Sequence, residues 1–256
     1  MMLHRSTALA AFALAAMAGF WPVASIADED VRLKGVVELF TSQGCTSCPP
    51  ADALFSELSK RRDLVTLAYH VDYWDYLGWR DTLAKPEHTQ RQHAYGKAFG
   101  VRSVYTPQAV INGRQHVNGA KRSAVTGTLD ALDRAGRGLS VELTVEREGD
   151  SVVIKAGPGA ARGKAHLVLV YFDAPQPVEI VRGENDGNTI VYANAVNDIQ
   201  TAGMWHGKPA RFELPATELE RKGGCAALLQ SVDAQGLPGP IIGATIVREP
   251  DARPAE

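Results

Sequence analysis

Two prolines placed directly after a pair of cysteines constrain this chain more than any other feature. Thr41 to Asp52 reads TSQGCTSCPPAD. Proline lacks a backbone N–H and fixes its φ, so it is accepted in the first turn of a helix and hardly anywhere else in one. Pro49 and Pro50 therefore pin a helix start at the cysteines. Ala51, Leu54, Phe55 and Leu58 continue at helical spacing. The run before the motif, VRLKGVVELF, and the run after the helix, LVTLAYHV, are both nearly continuous in apolar and β-branched residues. Such runs suit strands buried on both faces. Strand, helix and strand over so short a stretch predict a βαβ unit with a parallel pair.

The spacing further predicts a helix from Pro86 to Phe99 stopped by Gly100, then a hairpin turning at Asn112-Gly113, then an amphipathic helix over 122–135. From Ser140 to Val247 the character changes. Short β-like runs (LSVELTVE, SVVIKAG, AHLVLVYFD, PVEIVRG, TIVYANAV, ARFELP, CAALLQSV, IIGATIV) are separated by Gly, Asp, Asn and Pro. They predict an all-β antiparallel sandwich following an α/β domain.

Residues 1–27 carry a basic start, an apolar core and small residues before Ala27, the pattern of a cleaved secretory signal. The expected organisation is a signal peptide (1–27), an α/β domain (28–137), a β-sandwich domain (138–248) and a disordered tail (249–256). The expected location is periplasmic or secreted. With 27 Lys and Arg against 29 Asp and Glu, and no basic run, neither nucleic acid nor an anionic membrane is an expected partner. No span is expected in the mature chain.

Export puts the three cysteines in an oxidising compartment. A helix N-terminus carries unpaired N–H groups and a partial positive charge, which stabilise a thiolate there. On this reading Cys45 attacks and Cys48, one turn on, resolves the mixed disulfide. Two alternatives stay open: an inert structural disulfide in a non-catalytic scaffold or docking protein, and a Cu(I) or Zn carrier using the two thiols with a histidine. His70, His88, His93 and His116 show no tight ligand spacing with the cysteines, so no metal site and no cofactor is assigned. Cys225, in the apolar stretch CAALL, is expected as a buried small hydrophobe. Asn185 to Asn188 (NDGN) reads as a hairpin turn.

The order of strand, polar turn, Cys-x-x-Cys, proline, helix and strand resembles the thioredoxin fold, and Thr106-Pro107 before AVING strengthens the likeness. The segments ELFTSQGCTSCPPAD, YHVDYWDYLGW, YTPQAVINGR and GENDGNTIVYANAV together resemble a domain-of-unknown-function family of secreted bacterial thioredoxin-like proteins. The resemblance implies a thioredoxin-like first domain, a cis-Pro107 facing the cysteines with Thr106 beside it, and Glu38 as a buried acid serving the resolving thiol. The loop after the second strand, with His70, Asp72 and Trp74, is expected near Cys45. It serves either as a groove for an extended peptide or as a plug between domains. The activity implied is thiol–disulfide exchange with another exported protein.

Overall fold

The structure, a computed structural model, describes residues 32–159, 164–218 and 223–247. The expected signal peptide and the expected tail lie outside them. The described residues belong to one compact unit.

Strand β1 (Gly35–Thr41), helix α1 (Pro49–Leu58) and strand β2 (Leu64–His70) form the expected unit. β1 and β2 pair in parallel, with Glu38 opposite Leu67 and Thr41 opposite His70. Helix α2 (Pro86–Phe99) follows, then β3 (Gln108–Ile111), β4 (Gln115–Asn118) and α3 (Arg122–Arg134). The first sheet has the order β2-β1-β3-β4. Along β1 the side chains alternate, as strand geometry requires. Val37 and Leu39 join Ala51, Leu54 and Phe55 of α1 and Leu129 of α3 in one cluster. Val36 and Phe40 face the other way, with Tyr95 of α2.

Among the described residues nine more strands follow: β5 (Leu143–Glu148), β6 (Ser151–Ala156), β7 (Ala165–Phe172), β8 (Gln176–Glu179), β9 (Thr189–Tyr192), β10 (Val196–Trp205), β11 (Ala210–Pro215), β12 (Gly224–Val232) and β13 (Pro238–Val247). They make three sheets, β10-β7-β12-β13, β11-β6-β5 and the ribbon β8-β9.

This architecture corrects the expected fold class. The chain is mostly β, with 42% strand and 20% helix in several small sheets, and is not an α/β thioredoxin domain followed by a β-sandwich. The reason lies in the sheet β10-β7-β12-β13, the middle sheet of the molecule, whose strands β7 and β12 are buried on both faces. Val168, Val170, Phe172, Ala226 and Leu228 pack into the same core as Val36, Phe40, Val65 and Tyr95. Their neighbours Leu167, Leu169, Tyr171, Ala227 and Leu229 face Val152, Ile154 and Trp205. Cys225 is buried in that second cluster. One core therefore crosses the change of character near residue 138. Hydrogen bonds cross it too: Ile241 N donates to Asn112 O at 2.9 Å and Ala68 N to Asn194 O at 3.0 Å.

Candidate functional site

Cys48 caps α1, with Pro49 and Pro50 in the first turn. The amides of Ala51 and Asp52 donate to its carbonyl. Cys45 lies in the turn just before the helix. The two cysteines form a disulfide with Cα atoms 5.4 Å apart. The bond preceding Pro107 is cis. Beside it, the Thr106 hydroxyl donates to Cys45 Sγ at 3.2 Å, and Ser47 Oγ lies 3.5 Å from the same sulfur. Thr106 thus touches Cys45, and the bond it shares with Pro107 is cis.

The attacking role read for Cys45 needs a reachable sulfur, and neither cysteine has one here. Cys45 is 1% and Cys48 0% exposed. Trp74 Nε1 donates to Thr106 Oγ1 at 2.8 Å, which holds the indole against the threonine that touches the sulfur. A Cβ added to Gly44 would stand 3.1 Å from Trp74 Cβ. Trp79 Nε1 donates to Gln43 Oε1 at 2.8 Å. The aromatic loop therefore covers the cysteine turn. Asp72 takes no part in this: its carboxylate accepts from Thr89 Oγ1 of α2 at 2.6 Å.

Sequence reasoning missed a clamp from the β8–β9 connection. Asn185, buried, donates to the carbonyls of Gln43 at 2.8 Å and Cys45 at 3.0 Å. Glu184 accepts from Thr46 Oγ1 at 3.4 Å. NDGN is the hairpin connection it was read to be, since β8 and β9 pair on either side of it. A turn asparagine is usually spent on its own backbone, so nothing local marks one that reaches a distant segment.

Glu38 occupies the face of β1 away from α1. Arg91 Nε donates to it at 2.8 Å, and the Tyr95 hydroxyl also donates to it. Arg91 in turn donates to Gln230 Oε1 of β12 at 2.9 Å. The acid expected to serve Cys48 is thus committed to a buried polar network joining α2 to the middle sheet.

A different acid lies on the cysteine side. Asp52 is one turn past Cys48 on α1 and 4% exposed. Thr41 Oγ1 donates to its Oδ1 at 2.7 Å. Burial pushes this carboxyl up to about 7, against the pull of His70 and the Thr41 hydrogen bond. His70 is fully buried with Nδ1 2.8 Å from Asp81 Oδ2. Burial opposes a charge on the ring, but Asp81 and then Asp52 raise its pKa. Burial would raise Asp81 in turn, yet His70 and the amides of Gln43 and Leu83 hold it below the ordinary range. The Tyr192 ring meets His70 edge-on at 4.6 Å. Cys48, Asp52 and Phe55 fall at i, i+4 and i+7, one face of a helix, so the spacing did contain the signal.

Among the described residues no group of three or more His, Cys, Asp or Glu is placed to hold a metal ion. No helix among them is long and apolar enough to cross a membrane.

Fold and site together define a mostly β protein with a shielded Cys-x-x-Cys disulfide at a helix N-terminus beside a cis-proline. The chain belongs to the DUF1223 family, described as proteins of unknown function, which it matches over residues 36–230. It is similar to the crystal structure of an Agrobacterium tumefaciens protein solved as a structural-genomics target. The two share 48% identity and a TM-score of 0.77, over 84% of this chain and 94% of that one. No curated protein matches it.

Proposed function

We propose that this protein exchanges disulfides with another exported protein through Cys45 and Cys48. The observation that carries the reading is the hydrogen bond from Thr106, next to cis-Pro107, onto the Cys45 sulfur at the start of α1. In the oxidised protein a substrate thiolate attacks Cys45 Sγ. A substrate–Cys45 bond forms, the Cys45–Cys48 bond breaks, and its electron pair leaves on Cys48. A second substrate thiol then attacks its own sulfur in the mixed disulfide, so the substrate leaves oxidised and the protein is reduced. Run backwards, the same steps reduce a substrate disulfide. The fully shielded sulfurs require that the Trp74–Thr106 contact open before attack.

That same shielding favours a second reading, a structural disulfide. The two separate by titrating the Cys45–Cys48 couple in graded redox buffers, with Cys225→Ala to remove the third thiol. Structural disulfides lie below about −300 mV and exchange-active ones above. A potential above that line, with a Cys48→Ser variant trapping a mixed disulfide, supports exchange. No reduction, or exchange that survives Cys45→Ser, overturns it. Residence outside the cytoplasm belongs to this proposal, and cell fractionation tests it.

A further inference from the structure

The disulfide chemistry leaves a proton unaccounted for. When the Cys45–Cys48 bond breaks, the electron pair stays on a Cys48 sulfur with no exposed surface. A bare thiolate sealed from water is costly, so it must be protonated in place. Solvent does not reach it, and Glu38 is on the far face of β1 with Arg91 and Tyr95.

Among the described residues, three buried polar atoms around α1 have no hydrogen-bond partner: Asp52 Oδ2, His70 Nε2 and the Tyr192 hydroxyl. Buried polar atoms are seldom left so, and these three belong to mutually facing groups. Tyr192 lies edge-on to His70, and its own titration is raised by burial and by the charges of Asp52 and Asp81. The groups facing Asp52 are therefore Thr41 from β1, His70 from β2, Asp81 from the loop after β2 and Tyr192 from β9. Asp81 Oδ2 meets His70 Nδ1 and the Gln43 amide, and its Oδ1 accepts from Leu83 N at 2.8 Å. Asp81 is thus a fixed anion that orients the ring and leaves Nε2 as the working nitrogen.

Resting on the exchange reading above, we infer that Asp52 is the acid and base for the Cys48 sulfur, and that the His70–Asp81 pair stabilises the Asp52 carboxylate formed when it gives up its proton. Substrate thiolate, the disulfide and protonated Asp52 become the mixed disulfide on Cys45, a neutral Cys48 thiol and an Asp52 carboxylate. The number of bonds, electrons and protons is conserved. In reverse, Asp52 takes the Cys48 proton, the thiolate attacks Cys45 Sγ, and the substrate thiolate departs. The lift of the Asp52 carboxyl to about 7 lets it hold a proton and release one near neutrality, as such a group needs.

The test uses the intact mature chain, with dithiothreitol as the probe. Two quantities are read across the neutral pH range: the infrared band of a protonated carboxyl, and the rate at which Cys48 closes the mixed disulfide. In the wild type the carboxyl band should titrate near 7 and shift its midpoint when the disulfide is reduced. Asp52→Asn should remove that band and slow closure about a hundredfold, whereas Asp52→Glu should restore part of the rate. A wild-type band whose midpoint ignores the redox state overturns the inference, without recourse to any variant. Closure at the wild-type rate in Asp52→Asn overturns it as well, and leaves exchange intact. A wild-type disulfide that dithiothreitol never reduces overturns the exchange reading and this inference together.

Discussion

At the scale of single residues, the charge on Asp52 sets a stability balance as well as a chemical one. Its folded pKa, about 7, lies above the ordinary 3.8, so between those values the folded chain holds a proton that the unfolded chain releases. Stability is then lost as pH rises through this window. Complete ionisation costs up to about 4 kcal/mol. His88 runs the other way: burial pushes it down to about 4, so its share is lost as pH falls through the same window. The two trends oppose each other. Asp52→Asn is therefore expected to be more stable than the wild type above neutrality and to lose stability more steeply on acidification. Urea unfolding at several pH values measures this, and a variant less stable than wild type at alkaline pH would contradict it. Asn185 belongs to the same scale. Among the described residues no other side chain donates to the Gln43 carbonyl, whereas the Cys45 carbonyl keeps the Cys48 amide as well. Asn185→Ala is expected to cost about 2 kcal/mol and to speed reduction of the disulfide by dithiothreitol, both read on one purified variant.

At the scale of elements, the start of α1 and the loop after β2 act as a pair, one presenting the sulfurs and the other covering them. Trp74 is the contact nearest the Cys45 sulfur: it packs on Gly44, and its indole bonds Thr106, which touches that sulfur. Trp74→Phe keeps most of the apolar cover and loses the donor. It is expected to raise the rate of disulfide reduction roughly tenfold, the equivalent of about 1.4 kcal/mol off the opening, and thiol trapping over time would show an unchanged rate if the cover lay elsewhere. The β3–β4 turn is a second such joint. Asn112 accepts the Val36 amide on Oδ1 at 2.7 Å, and Gly113, at φ 60°, leaves no room for a side chain: a Cβ there would meet Gly239 O at 2.5 Å. Gly113→Ala is therefore expected to cost at least about 2 kcal/mol, from the positive φ and the clash together. A thermal melt within a degree of wild type would show that the turn yields.

At the scale of the whole molecule, the first sheet is completed by the middle sheet. Residues 28–137 alone would expose Val36, Phe40, Val65 and Val110, which Val168, Val170 and Leu228 cover, and would leave Arg91 without Gln230. Expressed alone, that segment is expected to lack a cooperative unfolding transition, and a sharp transition in calorimetry would show that it is independent after all. Most strands, helices and turns were legible in the sequence because their causes are local: prolines after Cys48, apolar spacing in α1, Asn112-Gly113 between β3 and β4. Strand β10 was not, because its run VNDIQTAGMW is largely polar and becomes a strand by pairing with β7. The Cys45–Cys48 pair was legible by spacing, and the cis bond at Thr106-Pro107 with Thr106 beside Cys45 by resemblance. The sandwich expectation fails at LVLVYF and CAALL, which are continuous apolar runs, the mark of strands buried on both faces. Glu38 was misjudged because a strand residue's face depends on which neighbour claims each side, and its sequence position is silent on that. The sequence by itself determined most of the elements and the closeness of Cys45 to Cys48, since these depend on residues near one another along the chain. Only the tertiary structure decided that Asp52 and not Glu38 lies on the cysteine side, that Asn185 clamps the cysteine turn from over a hundred residues away, and that both sulfurs are sealed, because burial is set by what distant segments bring.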